Sequence, residues 1–285
     1  MWTFAVWMRS KTASLILVPS ASRQQRGRQA VSRRGLALAV SCIAAFEIVT
    51  YLALKLGSAD GAPLWCFFAR GAAAVRACDV TIASDSSAEV RAEAHYNRGI
   101  ELDHLDRYAE AVLAYDRAVQ LEPDYAAAYT NMGVTLAKLG RWEDALHAYH
   151  AAIRKQPQYA DAHYNLGVAL AELRRWGEAL EAFREAVRVN PKDAEALYNM
   201  GLMLNHLGRH EEALTAYGSA VRIHPSNANA WGNLGMTAHL LRRDSQAVSA
   251  FERARMLVPT YFDRRNAQRK ALEESRQRWQ SPEPR

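Results

Sequence analysis

Five asparagines recur along the sequence at intervals of 34 residues, and each stands two residues before a glycine. They are Asn97, Asn131, Asn165, Asn199 and Asn233. A side-chain amide offers two N–H donors and a carbonyl acceptor, which match the alternating N–H and C=O groups of an extended peptide. A row of such amides on one face would bind the main chain of another polypeptide, whatever its side chains are.

Other residue types that could support chemistry do not form a recognisable site. His147 and His150 are three residues apart, and His206 and His210 are four apart. Neither pair has a carboxylate or thiolate at ligand spacing, so surface histidines are favoured over a metal site. The sequence also has no nucleophile motif and no phosphate-binding glycine loop. We therefore expect no enzyme activity, no cofactor, no metal and no small-molecule substrate.

The period of 34 extends to other residue types. Counting Ala92 as position 1, glycine occupies position 8, alanine positions 20 and 27, an aromatic residue position 24 and proline position 32 of every block. Glycine inside a helix costs about 1 kcal/mol relative to alanine, so its recurrence indicates a close approach of two helices. Proline ends the second helix. The blocks are 92–125, 126–159, 160–193, 194–227 and 228–261.

This pattern resembles the tetratricopeptide repeat (TPR) family. The blocks are most similar to the arrays of the O-linked N-acetylglucosamine transferase type, as in "NLGVALAELRRWGEALEAFREAVRVNP". We find no glycosyltransferase sequence after the blocks and expect only the repeat fold to carry over. The resemblance implies an all-α protein, in which helix pairs stack into a right-handed superhelix, or alpha-solenoid, with a concave groove.

The resemblance also implies a role for the asparagines. In the transferase-like arrays, asparagines at this position line the groove and bond the backbone of a bound polypeptide. That role carries over to Asn97, Asn131, Asn165, Asn199 and Asn233, with Tyr164 and Tyr198 beside them at position 5. The alternative is that each asparagine bonds the backbone of the neighbouring repeat.

The segments on either side of the blocks have their own patterns. Residues 57–91 are interpreted as a linker and a degenerate half repeat, because "AAVRACDVTI" at 73–82 aligns with "EAVLAYDRAV" at 110–119. Residues 262–285 are interpreted as a charged capping helix and tail. Cys66 and Cys78 are either joined by a disulfide or are small buried hydrophobes.

The positive charge of the chain is concentrated at its N-terminus. The net charge is +6, but residues 1–56 carry eight Lys or Arg against the single acid Glu47, which leaves 28 Lys or Arg against 29 Asp or Glu in residues 57–285. The repeats are therefore not basic, and we expect no nucleic-acid partner.

An apolar stretch follows the basic N-terminal segment 1–35. Residues 36–56 would cross a hydrocarbon core of about 30 Å as a helix, although Glu47 lies in the middle. Positive charge before the stretch predicts a signal anchor with a cytoplasmic N-terminus and extracytoplasmic repeats, in the periplasm if the protein is bacterial. The alternatives are a cleaved export signal, an organellar transit peptide and a buried soluble helix.

Together these features predict a membrane-anchored scaffold or adaptor that binds an extended segment of a partner protein in the groove of its solenoid. The alternative is an accessory subunit that presents substrates to a separate glycosyltransferase or envelope-synthesis complex. Both predictions rest on the asparagine row and the apolar stretch.

Overall fold

The computed structural model describes residues 70–84, 86–263 and 265–280. The chain divides into two units, Met1–Gly57 and Ser58–Arg285, and all described residues belong to the second. The predicted basic segment 1–35 and apolar stretch 36–56 lie outside the described residues. Among the helices that are described, none combines the length and the apolar character needed to cross a membrane.

The described ranges contain twelve α-helices and no strand. The helices are α1 Gly71–Ala83, α2 Ala88–His104, α3 Tyr108–Leu121, α4 Ala126–Lys138, α5 Trp142–Lys155, α6 Ala160–Glu172, α7 Trp176–Val189, α8 Ala194–His206, α9 His210–Ile223, α10 Ala228–Leu240, α11 Asp244–Leu257 and α12 Asn266–Gln280. From α2 to α11 they alternate as the first and second helices of five repeats. Each helix packs against the one before and the one after it, as in a solenoid.

The first helices of repeats two to five begin at Ala126, Ala160, Ala194 and Ala228, which is position 1 of each block. The first repeat differs, because α2 begins at Ala88, four residues earlier. Ser87 explains this difference: its side chain accepts a hydrogen bond from the N–H of Val90 and caps the longer helix.

The recurring glycine allows an aromatic ring to lie directly on the first helix. A Cβ atom added to Gly167 would lie 2.8 Å from the ring of Phe183, which is closer than real Cβ contacts. The same relation holds in all five repeats, and the rings are almost completely buried. Each ring comes from the second helix of the same repeat. The ring therefore fills space within a repeat.

The turn between the two helices of each repeat places one residue in the left-handed region. That residue is Asp106, Gly140, Arg174, Gly208 and Arg242 in the five repeats, with φ between 58° and 73°. The next residue is always arginine. In the first four repeats it pairs with an acid three residues later, as in Arg107 with Glu110 at 2.7 Å. These exposed pairs contribute little to stability.

Helices α1 and α12 pack on the two ends of the array. At the first end, the buried carboxylate of Glu101 accepts a hydrogen bond from the N–H of Gly71 at 2.8 Å, at the beginning of α1. At the other end, α12 buries Ala271 and Leu272 against the last repeat. A side chain at Gly232 would overlap the hydroxyl of Tyr261, which leads into α12.

Cys78 is completely buried in α1 and is disulfide-bonded. The other two cysteines of the chain, Cys42 and Cys66, lie outside the described residues. The pairing of Cys66 with Cys78 therefore stays a prediction.

Candidate functional site

One face of the five first helices carries the residues predicted to bind a peptide. We define the groove face as positions 2, 5, 6, 9, 12 and 13 of these helices, which recur on one side of an α-helix. The glycine at position 8 is buried against the second helix in every repeat. Position 6 lies about 200° around the helix from position 8, so the asparagines point away from the second helix.

The structure separates the five asparagines into two groups. Asn131, Asn165, Asn199 and Asn233 are half-buried, and part of each side chain remains accessible. Asn97 is only 2 % exposed. A side chain that solvent cannot reach is closed to a peptide as well. In this structure Asn97 is therefore covered, and its contact with a bound chain stays a prediction.

Three of the asparagines donate a hydrogen bond to a tyrosine of the preceding repeat. The Nδ2 atom of Asn131 lies 3.0 Å from the hydroxyl of Tyr96, and the same bond, at 3.1 Å, joins Asn199 to Tyr164 and Asn233 to Tyr198. The predicted site residues Tyr164 and Tyr198 are thus brought together with the asparagine row. The structure places the link on a neighbouring side chain, whereas the sequence alternative placed it on the neighbouring backbone.

Asn165 forms a different hydrogen bond from Asn131, Asn199 and Asn233. The preceding repeat has Thr130 at position 5 instead of tyrosine, and its hydroxyl donates to the carbonyl of Ala126 at 3.0 Å. Asn165 donates instead to the carbonyl of Asp161 in its own helix, at 2.8 Å. The pairing therefore depends on a tyrosine located 35 residues before the asparagine. This spacing is readable in the sequence, but the pairing of the two positions was not predicted from it.

Tyr164 and Tyr198 stay neutral at physiological pH. Burial raises the pKa of both hydroxyls, and the carboxylate of Glu195 raises both further. A neutral hydroxyl can accept the amide N–H and still donate its own proton. Glu195 stands four residues before Asn199 on the same helix, so both lie on the same side of it.

An apolar row runs beside the asparagines at position 9. Its members are all aliphatic or methionine and all half-buried: Ile100, Val134, Val168, Leu202 and Met236. Between the first helices of repeats one and two, this row borders a cavity of about 140 Å³. The cavity is also lined by Asn131 and Asp103, so apolar and polar groups meet in one recess.

Polar side chains also link neighbouring first helices, and these links were not predicted from the sequence. Asp103 accepts a hydrogen bond from the hydroxyl of Thr135 at 2.8 Å and pairs with Lys138. In the same way, Asn205 donates to the hydroxyl of Thr237 at 2.8 Å. Each link joins position 12 of one repeat to position 10 of the next, 32 residues later. A polar residue at position 12 followed by threonine at that distance is the signal that could have found them.

The structure places three of the histidines noted in the sequence on the surfaces of α5 and α8. His206 stacks on the ring of Trp176, with centroids 4.4 Å apart and planes 7° apart. His147 and His150 are exposed on α5. Within residues 70–84, 86–263 and 265–280, no group of three or more His, Cys, Asp or Glu side chains could hold a metal ion.

Solved structures with this architecture include two proteins named YrrB and MamA. "YrrB: a TPR protein with an unusual peptide-binding site" is 25% identical, with a TM-score of 0.55, covering 64% of this chain and 92% of its own. A MamA structure is 24% identical, with a TM-score of 0.53, covering 56% and 93%. MamA from Desulfovibrio magneticus RS-1 is 21% identical, with a TM-score of 0.52, covering 61% and 97%. The similarity to MamA shows the fold alone.

Comparison with curated protein sequences found no match. Family models give a clear assignment. A model described as tetratricopeptide repeat matches residues 130–188, 170–228 and 212–261, and a second TPR model matches residues 105–140. Together they cover 105–261, more than half of the 285 residues. The chain therefore belongs to the tetratricopeptide repeat family.

Proposed function

We propose that this protein is a non-catalytic scaffold whose groove face binds an extended segment of a partner protein. The observation that carries the proposal is the double row of half-buried side chains, amides at position 6 and aliphatic groups at position 9, on consecutive first helices. Amides supply hydrogen bonds to main chain, and the aliphatic groups gain from burial under a guest. Except at Asn97, both rows are partly exposed.

The geometry of the amides suits an extended main chain. A tyrosine hydroxyl occupies one N–H of each paired asparagine. In Asn131 and Asn199 the second N–H and the carbonyl oxygen form no hydrogen bond with another described residue, whereas the carbonyl oxygen of Asn233 accepts one from Gln268 at 3.4 Å. Packed helices lie about 8–10 Å apart, and an extended chain advances about 3.3 Å per residue. One amide therefore meets about every third residue of the guest. The tyrosine also fixes the orientation of the amide before binding, which lowers the entropy cost of association.

The similarity to YrrB supports the same proposal. Its structure is described as that of a TPR protein with an unusual peptide-binding site, and the alignment with it covers 64% of this chain. The proposal for this chain rests on its own residues, because the relation to YrrB is distant.

We further propose that residues 36–56 anchor the protein in a membrane and that the repeats lie on the extracytoplasmic side. The basic N-terminal segment supports this orientation, and the disulfide at Cys78 fits an oxidising compartment. Labelling of a cysteine introduced at the exposed residue Gln277 in intact cells tests this localisation. A reagent that cannot cross the cytoplasmic membrane is expected to label it. Labelling only by membrane-permeant reagent would contradict this localisation.

Photo-crosslinking of the full chain in its native cells tests the scaffold function. A photoreactive amino acid at Val168, on the groove face, is expected to give a protein adduct. The matched control is Leu113, which is 65% exposed on the second helix α3 and is expected to give none. Replacing Asn165 by alanine should reduce the Val168 adduct. Equal adducts at both positions, or none at Val168, would contradict groove binding.

The same adduct tests the accessory-subunit alternative. If the crosslinked protein is the substrate of a transferase that loses activity when this chain is removed, the chain presents substrates. If no such dependence is found, the scaffold role stands without it.

A further inference from the structure

The groove face differs in charge from the rest of the repeat region. Its thirty positions hold five carboxylates, one lysine and no arginine. The carboxylates are Glu93, Asp103, Asp161, Glu172 and Glu195. The chain from residue 57 onward is nearly neutral, with 28 Lys or Arg against 29 Asp or Glu. Among the thirty positions, Lys138 is therefore the one Lys or Arg, although Arg265 and Arg278 of the C-terminal segment contact Asn229 and His239 at the last repeat.

Three of these carboxylates are not neutralised by a neighbour. Asp161, Glu172 and Glu195 are exposed and form no ion pair with any other described residue. Asp103 differs, because it is mostly buried and pairs with Lys138. The unpaired acids belong to the first helices of repeats three and four. Asp161 and Glu172 lie on α6, the helix that carries Tyr164 and Asn165 of the groove face, and Glu195 lies on α8.

Acids elsewhere in the repeats are mostly paired. On the second helices, Glu143 lies 3.8 Å from Arg175, Glu181 lies 2.7 Å from Arg184 and Glu211 lies 2.8 Å from Arg243. The sequence thus supplies arginine partners to acids on the second helices and omits them on the groove face. Uncompensated charge beside an apolar row attracts a ligand of opposite charge and disfavours a like-charged one.

We infer that the partner segment is basic: an extended stretch in which Lys or Arg recurs about every third residue and aliphatic side chains lie between. This inference rests on the proposed function and adds the chemical class of the guest. The aliphatic side chains would cover Val168 and Leu202 of the groove face, while the cations would reach the carboxylates of Asp161 and Glu195. The cavity of about 140 Å³ beside Asp103 would hold a further side chain of the guest.

Selection of peptides from a random 12-residue library on the purified full-length chain tests the inference. We expect enrichment of Lys and Arg over the starting library, and depletion of Asp and Glu. The selected peptides should bind at least tenfold more weakly in 0.5 M salt than in 0.05 M salt, because exposed charges are screened.

Two variants of equal charge locate the effect. The groove variant combines Asp161→Asn, Glu172→Gln and Glu195→Gln, and we expect it to bind the selected peptides at least tenfold more weakly. The control variant combines Glu143→Gln, Glu181→Gln and Glu211→Gln on the second helices, and we expect a change of less than twofold. Equal losses in both variants would overturn the inference, because the effect would then belong to net charge.

The outcomes also separate this inference from the proposed function. Neutral or acidic peptides that bind, and that lose affinity in the Asn165→Ala variant, would overturn the basic guest and leave groove binding intact. A library from which no peptide is enriched would count against both. Circular dichroism of each variant confirms that the helices are retained.

Discussion

At the scale of single residues, the repeating glycine decides how close the two helices of a repeat come. The ring of Phe183 occupies the space that a Cβ at Gly167 would need. By contrast, a Cβ added at Gly177, on the second helix of the same repeat, meets no atom within 4 Å. The same substitution should therefore have opposite effects at these two glycines.

We predict that Gly167→Ala lowers the free energy of unfolding by about 1–3 kcal/mol, because the buried ring must move. Gly177→Ala should raise it by about 0.5–1 kcal/mol, because alanine favours the helix. Urea denaturation followed by circular dichroism measures both. A stable Gly167→Ala variant would show that the packing is loose.

The left-handed turn residues give a second residue-level prediction. Arg174 and Gly140 occupy the same turn in different repeats, with φ of 59° and 73°. Since this region costs residues other than glycine about 1–2 kcal/mol, Gly140→Ala should destabilise the protein by about 1 kcal/mol. Arg174→Gly removes this cost, but glycine loses more conformational entropy on folding than arginine does. The net effect should be a stabilisation of about 0.5 kcal/mol. Thermal unfolding of the two variants should therefore shift in opposite directions.

At the scale of helices, tyrosine and asparagine tie consecutive first helices together. A double-mutant cycle of Tyr164→Phe and Asn199→Ala should give a coupling energy of about 0.5–1.5 kcal/mol in the free energy of unfolding. The matched cycle of Thr130→Val and Asn165→Ala should give a coupling near zero, because these two residues bond within their own helices. Equal couplings would mean that the hydrogen bond is not the link.

The contact between α10 and α12 predicts a pH dependence. The Nδ1 atom of His239 lies 2.9 Å from both the hydroxyl of Ser275 and the guanidinium of Arg278. Burial and the positive charge of Arg278 lower the pKa of His239, so the folded protein holds this imidazole neutral. The unfolded chain takes up the proton below about pH 6.5. The neutral imidazole of His239 therefore contributes fully to the stability of the folded protein above that pH. This contribution is lost as the pH falls through the lowered folded pKa.

Denaturation midpoints at pH 7.5 and 5.5 measure this effect. We expect a smaller fall in the His239→Gln variant than in the wild type, and an unchanged fall when exposed His224 is replaced by Gln. Some pH dependence should remain in His239→Gln, because the pKa values of His95 and His150 are also lowered by burial.

At the scale of the whole repeat region, the free energy of unfolding is approximately a sum of contributions from single repeats and from the interfaces between neighbouring repeats. Helix α12 and the segment before it bury Tyr261, Phe262 and Leu272 against the last repeat. A chain that ends at residue 257 should lose several kcal/mol, and its thermal midpoint should fall by more than about 5 °C. A chain that ends at residue 280 is the control and should unfold like the wild type.

The sequence predicted the repeat fold well because its main determinants are local and periodic. Proline at position 32 and the left-handed turn fix where each helix ends, and glycine at position 8 fixes which face is buried. The hydrogen-bond partner of each asparagine could not be predicted in the same way. It depends on the residue 35 positions earlier, as Tyr164 and Thr130 show, and such contacts between repeats become visible only when the helices are stacked.

The strict spacing of the first helices has a consequence for how a guest would be positioned. Because Ala126, Ala160, Ala194 and Ala228 begin equivalent helices, a chain shifted by one unit would meet almost the same main-chain contacts. Only the terminal contact would be lost. The register of a guest must therefore come from side chains that are not repeated, such as Glu172 and His206. A guest with a uniform sequence would occupy several registers and slide between them.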